Sequence, residues 1–123
     1  MAGQLEGKVS LVTGGGSGIG RSTALEFARE RAKVVVADVN SAGGEETVTQ
    51  IRSEGGEAIF VHADVSRAAH AEAMVEAAVE AYDRLDCAHN NAGGGSSIRA
   101  PIHEYPEEDI DRIMTLNVTG VWL

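Results

Sequence analysis

Cysteine is almost absent from this chain: Cys87 stands alone, so no disulfide can form within it. Its place in a short apolar run marks it as packing rather than a nucleophile. Basic residues are also scarce. Ten lysines and arginines face 19 acids, for a formal net charge of -9, and no basic cluster is present to track a phosphodiester backbone. Nucleic acid and anionic membrane are therefore poor candidate partners. No apolar run is long enough to span a bilayer, and the opening Met1-Ala2-Gly3-Gln4-Leu5-Glu6-Gly7-Lys8 lacks the apolar core of a signal peptide. These absences predict a soluble, cytoplasmic protein. The four histidines, His62, His70, His89 and His103, have no zinc-like spacing, so no metal site is expected. Neither an internal repeat nor a linker-like charge block divides the sequence. Its 123 residues have room for one domain, 1–123, with a real core, and none for a second.

What the chain has is glycine, concentrated in Thr13-Gly14-Gly15-Gly16-Ser17-Gly18-Ile19-Gly20. This stretch follows the apolar Val9-Ser10-Leu11-Val12 and precedes a helical pattern, so it reads as strand, glycine turn and helix. Glycines let the backbone approach a ligand closely, and the following helix directs unpaired N–H groups and its positive dipole end into the same space. An anion belongs there, most plausibly a pyrophosphate. Flexible loops also collect glycine, so context has to decide. A dinucleotide site needs an acid about 20 residues further on, at the end of the second strand, to accept from the adenosine ribose. Asp38 closes Lys33-Val34-Val35-Val36-Ala37-Asp38 at that distance.

In chain order, Gly18 to about Arg31 is an amphipathic helix with Ala24, Leu25, Phe27 and Ala28 on one side. The valine-rich second strand suits a parallel sheet covered on both faces. Ser41 to Glu54 has few apolar anchors and stops at Gly55-Gly56, which predicts the most exposed helix of the chain. Ala58–Val61 is a third strand and Asp64-Val65-Ser66 the turn after it. Ala71, Met74, Val75, Ala78, Val79 and Tyr82 repeat at helical spacing as a packing stripe. Leu85 to Asn90 is a fourth strand, and Ala92-Gly93-Gly94-Gly95-Ser96-Ser97 opens a mobile loop. The last helix begins near Pro106, with Glu107, Glu108 and Asp109 at the positive dipole end. Its expected buried stripe is Ile110, Ile113, Met114, Val118 and Val121, with Asn117 in the middle, so the carboxamide must find partners. Strands and helices alternating four times predict an α/β fold: a doubly wound parallel sheet in order 3-2-1-4, with a crevice at the switch between strands 1 and 4. This is half of a Rossmann fold.

Four motifs on these elements together resemble the classical short-chain dehydrogenases/reductases: Thr13-Gly14-x-x-x-Gly18-x-Gly20, Asp64-Val65, Asn90-Asn91-Ala92-Gly93, and Asn117 in the last helix. The resemblance covers the whole chain but only about the first half of a family member. It implies that the turn of Gly14, Ser17, Gly18, Ile19 and Gly20 holds the pyrophosphate, and that Asp64 and the Val65 backbone meet adenine. It also implies that Asn91, Ala92 and Gly93 lie along the cofactor ribose, and that Asn90 helps hold the sheet together. Read without the family, Asp64 is equally a turn or capping aspartate, and Asn-Asn-Ala-Gly only a turn signal. Asp38 favours NAD. It would repel the 2′-phosphate of NADP by about 4 kcal/mol per charge at ~4 Å and an effective dielectric of ~20, less where the cleft is open and screened. Ser17 and Val39, at the rim, stand where NADP-binding relatives would carry a basic residue.

The resemblance also implies chemistry that the residues do not complete. The family moves a hydride between nicotinamide and an alcohol or ketone, using a serine, a Tyr-x-x-x-Lys pair and an asparagine. Only Asn117 can be matched as a catalytic residue. Tyr82 is followed at that spacing by Asp86 and Tyr105 by Asp109, and the only lysines are Lys8 and Lys33. A tyrosine with an unperturbed pKa near 10 would not serve at neutral pH. The chain is therefore expected to be the NAD-binding portion of an oxidoreductase, truncated before its catalytic segment and inactive alone. The apolar Val121-Trp122-Leu123, with Gly120 as an alternative C-cap, fits an interrupted helix. In complete members that helix contributes to a homo-oligomer interface. The alternative reading is a non-enzymatic nucleotide-binding or interaction module that uses an exposed apolar edge. The loop residues Arg99, His103 and Tyr105 line one rim of the cleft as solvated residues. Substrate identity lies beyond what these residues encode.

Overall fold

The computed structural model describes residues 3–96 and 98–123; Met1 and Ala2 of the expected leaderless start and Ser97 of the expected loop lie outside it. Four strands form one parallel sheet: β1 (Val9–Thr13), β2 (Lys33–Asp38), β3 (Glu57–His62) and β4 (Cys87–His89), in the order β3-β2-β1-β4. The expected topology is the observed one. Register pairs Leu11 with Val35 and Ala88, and Val35 with Ile59.

Alternation along the strands builds two cores. Val12, Val34, Val36 and Ala58 face one side and meet Ala24 and Ala28 of α1 (Gly18–Arg29) and Val48 and Ile51 of α2 (Ser41–Ser53). Val9, Leu11, Val35 and Ala37 face the other and meet Met74 and Ala78 of α3 (Ala68–Tyr82). Burial on both faces explains why β2 is a continuous apolar run.

Several expected details change. Helix α2 is not the most exposed helix: Gly44, Thr47, Val48 and Ile51 are buried. Its few apolar anchors suffice because Gly43 and Gly44 remove side chains where α2 meets its neighbours. A Cβ on Gly44 would lie 2.1 Å from the Phe60 ring. Strand β4 has three residues rather than the expected six. Before it, the Asp86 N–H donates to Val9 O, while the Asp86 carboxylate accepts the Val9 N–H at 2.8 Å. On α3 the stripe is narrower than expected, with Val75 45% and Val79 47% exposed.

The last helix departs furthest. It runs as α4 (Glu107–Met114), a π turn over Thr115–Thr119, and a final α turn, α5 (Gly120–Trp122). Pro106 is its N-cap, and Gly120 is helical at φ -59 rather than a cap. The Gly120 N–H reaches back to Thr115 O, so one extra residue enters the helix and rotates the residues after it by about 100°. Leu116 packs against the second core and Ile113 is half-buried, while Ile110, Met114, Val118 and Val121 of the expected stripe are exposed.

Candidate functional site

Beyond the last paired residues of β1 and β4, Val12 with His89, side chains tie the two strand ends together. Thr13 Oγ1 accepts the Ala92 N–H at 3.0 Å, and Asn91 Nδ2 donates to Thr13 O at 3.2 Å. Asn91 thus holds this edge of the sheet; Asn90, expected in that role, is exposed.

Beyond the tie lies a crevice of about 420 Å³. Its lining comprises Gly14, Ser17, Gly18 and Ile19 from the turn and α1, Asp38 and Val39 after β2, Ala63, Asp64 and Val65 after β3, Asn91, Ala92 and Gly93 after β4, and Leu116. Segments remote in sequence converge because every strand of a parallel sheet ends on the same side. Gly20 is not among the lining residues. It is buried behind the turn, where a Cβ would lie 2.1 Å from Gly14 O, so it lets α1 close on the turn. Asn117 stands behind the lining as well. Its Nδ2 donates to Gly94 O at 2.7 Å and Ile113 O at 2.9 Å, and its Oδ1 accepts the Gly94 N–H at 3.2 Å. The carboxamide is satisfied, as its position demanded, by clasping the loop after β4.

The electrostatics of the crevice are divided. At one end α1 begins with N-cap Ser17, whose side chain makes no capping bond, and no acid occupies the first turn. The first amides of a helix have no intrahelical acceptor, so this end attracts an anion. Gly18, at φ +52, has nothing within 4 Å of where a Cβ would project, which leaves room for a ligand at the backbone. At the other end stands the Asp38 carboxylate, with Oδ2 accepting the Gly16 N–H at 2.8 Å and Oδ1 the Asn40 N–H at 2.9 Å. A carboxylate has about four acceptor sites, so capacity remains for hydroxyl donors. Ile19 and Val39 flank the opening, 74% and 60% exposed, which is apolar surface placed for a ligand to cover.

Asp64 is held by its own turn. Its Oδ1 accepts from the Ser66 N–H at 3.0 Å and the Ser66 hydroxyl at 2.6 Å, and its N–H donates to His70 Nδ1 at 2.9 Å. The Ser66 hydroxyl and backbone bonds keep its carboxyl below the ordinary carboxylate range. The turn-forming and crevice-lining readings of Asp64 are therefore compatible, since both bonds fall on one oxygen.

Two residues escaped the sequence reading. Arg21, on α1, donates from Nη2 to Gly16 O at 2.6 Å and Gly43 O at 3.1 Å, and from Nε to Thr47 Oγ1 at 3.0 Å. The buried Thr47 donates in turn to Gly15 O at 2.7 Å. Arginine directly after the last motif glycine was the available signal for the first; a threonine in mid-helix offered none for the second.

The expected dinucleotide fits this donor set: an acid-free helix start for phosphate, a carboxylate for ribose hydroxyls, and apolar walls. Among the described residues no group of histidine, cysteine and acidic side chains could hold a metal, and no helix is long and apolar enough to cross a membrane.

A profile of the family described as short chain dehydrogenase matches residues 8–123. An uncharacterized oxidoreductase of Thermotoga maritima is 46% identical over 118 residues, 96% of this chain and 45% of its own length. A tropinone reductase-like protein of Erythroxylum coca is 39% identical over 122 residues, 98% of this chain and 43% of its own length. Among solved structures, a hydroxysteroid dehydrogenase from Escherichia coli superposes with a TM-score of 0.90 at 34% identity, covering 96% of this chain and 49% of that one. The chain thus spans less than half the length of each of these three proteins.

Proposed function

The chain belongs to the short chain dehydrogenase family, and on that premise we propose that it is the NAD-binding portion of an oxidoreductase acting on an alcohol or ketone. The carrying observation is that an acid-free helix start and the Asp38 carboxylate face one crevice at the β1/β4 switch. Ser17, Gly18 and Ile19 hold the pyrophosphate on backbone amides, and Asp38 accepts from the adenosine ribose. Asp64 and Val65 border adenine, Asn91 to Gly93 follow the second ribose, and Gly20 sets how close α1 comes to the turn. Asn117 keeps the loop after Gly93 in place. When bound, the nicotinamide supplies the hydride acceptor or donor.

NAD is preferred over NADP because a second anion beside Asp38 would meet a carboxylate already held in position by two backbone N–H groups. Residues 1–123 act as a single binding domain in a cytoplasmic, homo-oligomeric enzyme. They do not transfer hydride themselves. Burial, with the Glu57 carboxylate adding to it, pushes the Tyr82 phenol above its ordinary value, the wrong direction for a general base at neutral pH. The serine and the Tyr-x-x-x-Lys pair belong to sequence other than these residues.

Calorimetric titration of the 123-residue chain tests the reading. One equivalent of NAD should bind, NADP more weakly, and no NADH should form from any alcohol. Absence of dinucleotide binding overturns the assignment, and robust turnover overturns the division of labour.

A further inference from the structure

The glycine turn is held by more than its own conformation. Gly15 donates its N–H to Ala37 O at 3.1 Å, and its carbonyl takes the Thr47 hydroxyl. Gly16 gives its N–H to Asp38 Oδ2, and its carbonyl takes the Arg21 guanidinium. Arg21 and Thr47 also bond each other, and the order of donation is determined. Guanidinium cannot accept, so Thr47 must accept from Nε and turn its single proton towards a carbonyl, Gly15 O being the nearest at 2.7 Å.

The planar Gly15–Gly16 peptide therefore couples two ends of one device: Thr47 holds its carbonyl, and its N–H is presented to Asp38. Arg21 holds the carbonyl of the next peptide, Gly16–Ser17, and so limits rotation about Gly16. Sterics leave little slack. A Cβ on Gly16 would lie 2.8 Å from Asp38 Oδ2, and one on Gly43 would lie 2.7 Å from Gly16 O. Thr47 is fully buried, and the Arg21 side chain is 26% exposed, so water competes weakly for these bonds. The flanking Glu46 carboxylate, 3.6 Å from Arg21, is itself largely exposed and contributes little.

We propose that Arg21 and Thr47 form a clamp that positions Asp38 through the Gly16 backbone, and so sets discrimination between a free ribose 2′-hydroxyl and a 2′-phosphate. Neither residue touches the dinucleotide; both are positioning residues, and the inference rests on the dinucleotide reading above. With the clamp released, the Gly16 backbone rotates, its N–H leaves Oδ2, and the carboxylate loses its fixed aim. NAD then loses an oriented acceptor, whereas NADP loses part of the repulsion.

The test uses the full chain with Thr47→Val, Thr47→Ser and Arg21→Met. Calorimetry gives affinities for NAD and NADP separately, and amide exchange by NMR without ligand reads the Gly16 N–H. Thr47→Val and Arg21→Met should weaken NAD by about tenfold or more, the scale of one hydrogen bond to a charged group. NADP should change by less than about threefold, and Gly16 exchange should accelerate. Thr47→Ser keeps the hydroxyl and should behave as the parent. Should Arg21→Met fail to fold, the Thr47 variants decide alone, since Thr47→Val exchanges hydroxyl for methyl at nearly constant volume and Thr47→Ser restores the hydroxyl. Equal losses for both dinucleotides overturn the discrimination, and unchanged NAD affinity with faster Gly16 exchange overturns the link to Asp38. A parent chain that binds neither dinucleotide is seen before any variant is made; it refutes the functional reading and this inference with it.

Discussion

Two glycines in one motif are required for opposite reasons. Gly18 has φ +52 and open space beside it, whereas Gly20 is helical but lies against Gly14 O. Gly18→Ala should therefore cost about 1 to 2 kcal/mol of stability, the left-handed penalty, together with a loss of NAD affinity. Gly20→Ala forces the turn and helix apart and should cost about 1 to 3 kcal/mol as overpacking. Urea denaturation of both variants, paired with NAD titration, checks this: both should lose affinity, Gly18→Ala because a methyl enters the space beside the ligand and Gly20→Ala because the displaced helix moves the anion-binding amides. Asp64 supplies a pH test. Its folded pKa is depressed, chiefly by the Ser66 hydroxyl, so its stabilising contribution is complete above the ordinary carboxylate value and disappears as pH falls through the lower folded one. An NMR titration should place its midpoint below the usual range of about 3.9, and Ser66→Ala should raise it. A midpoint unmoved by that substitution would remove Ser66 as the cause. That Asp64 both makes a turn and lines the crevice was half legible: the aspartate-x-serine spacing spells the turn, but only the return of β3 beside β2 brings it to the ligand side.

At the scale of elements, the final helix separates periodic pattern from its outcome. Apolar residues at 110, 113, 114, 118 and 121 fit one straight helical face, and a pattern of this kind carries no sign of the π turn that redirects it. Within the turn, Leu116 packs on the core and Asn117 bonds the loop at Gly94 and its own helix at Ile113 O. Asn117→Ala removes one acceptor and two donor contacts to backbone and should cost about 1 to 3 kcal/mol, with faster exchange of the Gly94 amide. If Gly94 exchange is unchanged, the clasp does not hold the loop. Helix α2 errs in the other direction: its polar composition predicted exposure, yet paired glycines let it sit against the turn and Phe60. Absent side chains permit close approach, and a hydrophobicity count does not register them.

For the whole molecule, the sheet predicts a linkage. Turn, Asp38 and the β4 loop meet only in the folded state, so the proposed dinucleotide would bind native chain and not unfolded chain. At 100 times Kd this adds about 2.7 kcal/mol of stability, readable as a rise in Tm of several degrees with NAD and less with equimolar NADP. The exposed faces of α3 and the last helix, with Val75, Val79, Val118 and Trp122, carry a second expectation. Isolated chains should associate with rising concentration in sedimentation velocity, and Trp122→Glu should reduce that association without lowering NAD affinity.

The sequence by itself determined the alternation of strand and helix, the parallel order 3-2-1-4, and the position of the crevice with the glycine turn and Asp38 at it; Asp64, Val65 and Asn91 to Gly93 were placed there only by the family resemblance. The reason is that local signals suffice for the former: apolar period, glycine at a turn, an acid at a strand end, and the short right-handed crossovers that leave few topologies open. Tertiary structure alone decided how the turn is held. Arg21 and Gly16 are near in sequence, but Thr47 is 32 residues from Gly15, and which hydroxyl reaches which carbonyl depends on how closely α2 approaches. A hydrogen bond is won or lost within a few tenths of an ångström, a distance set by packing of the whole sheet and its helices, not by any segment read alone.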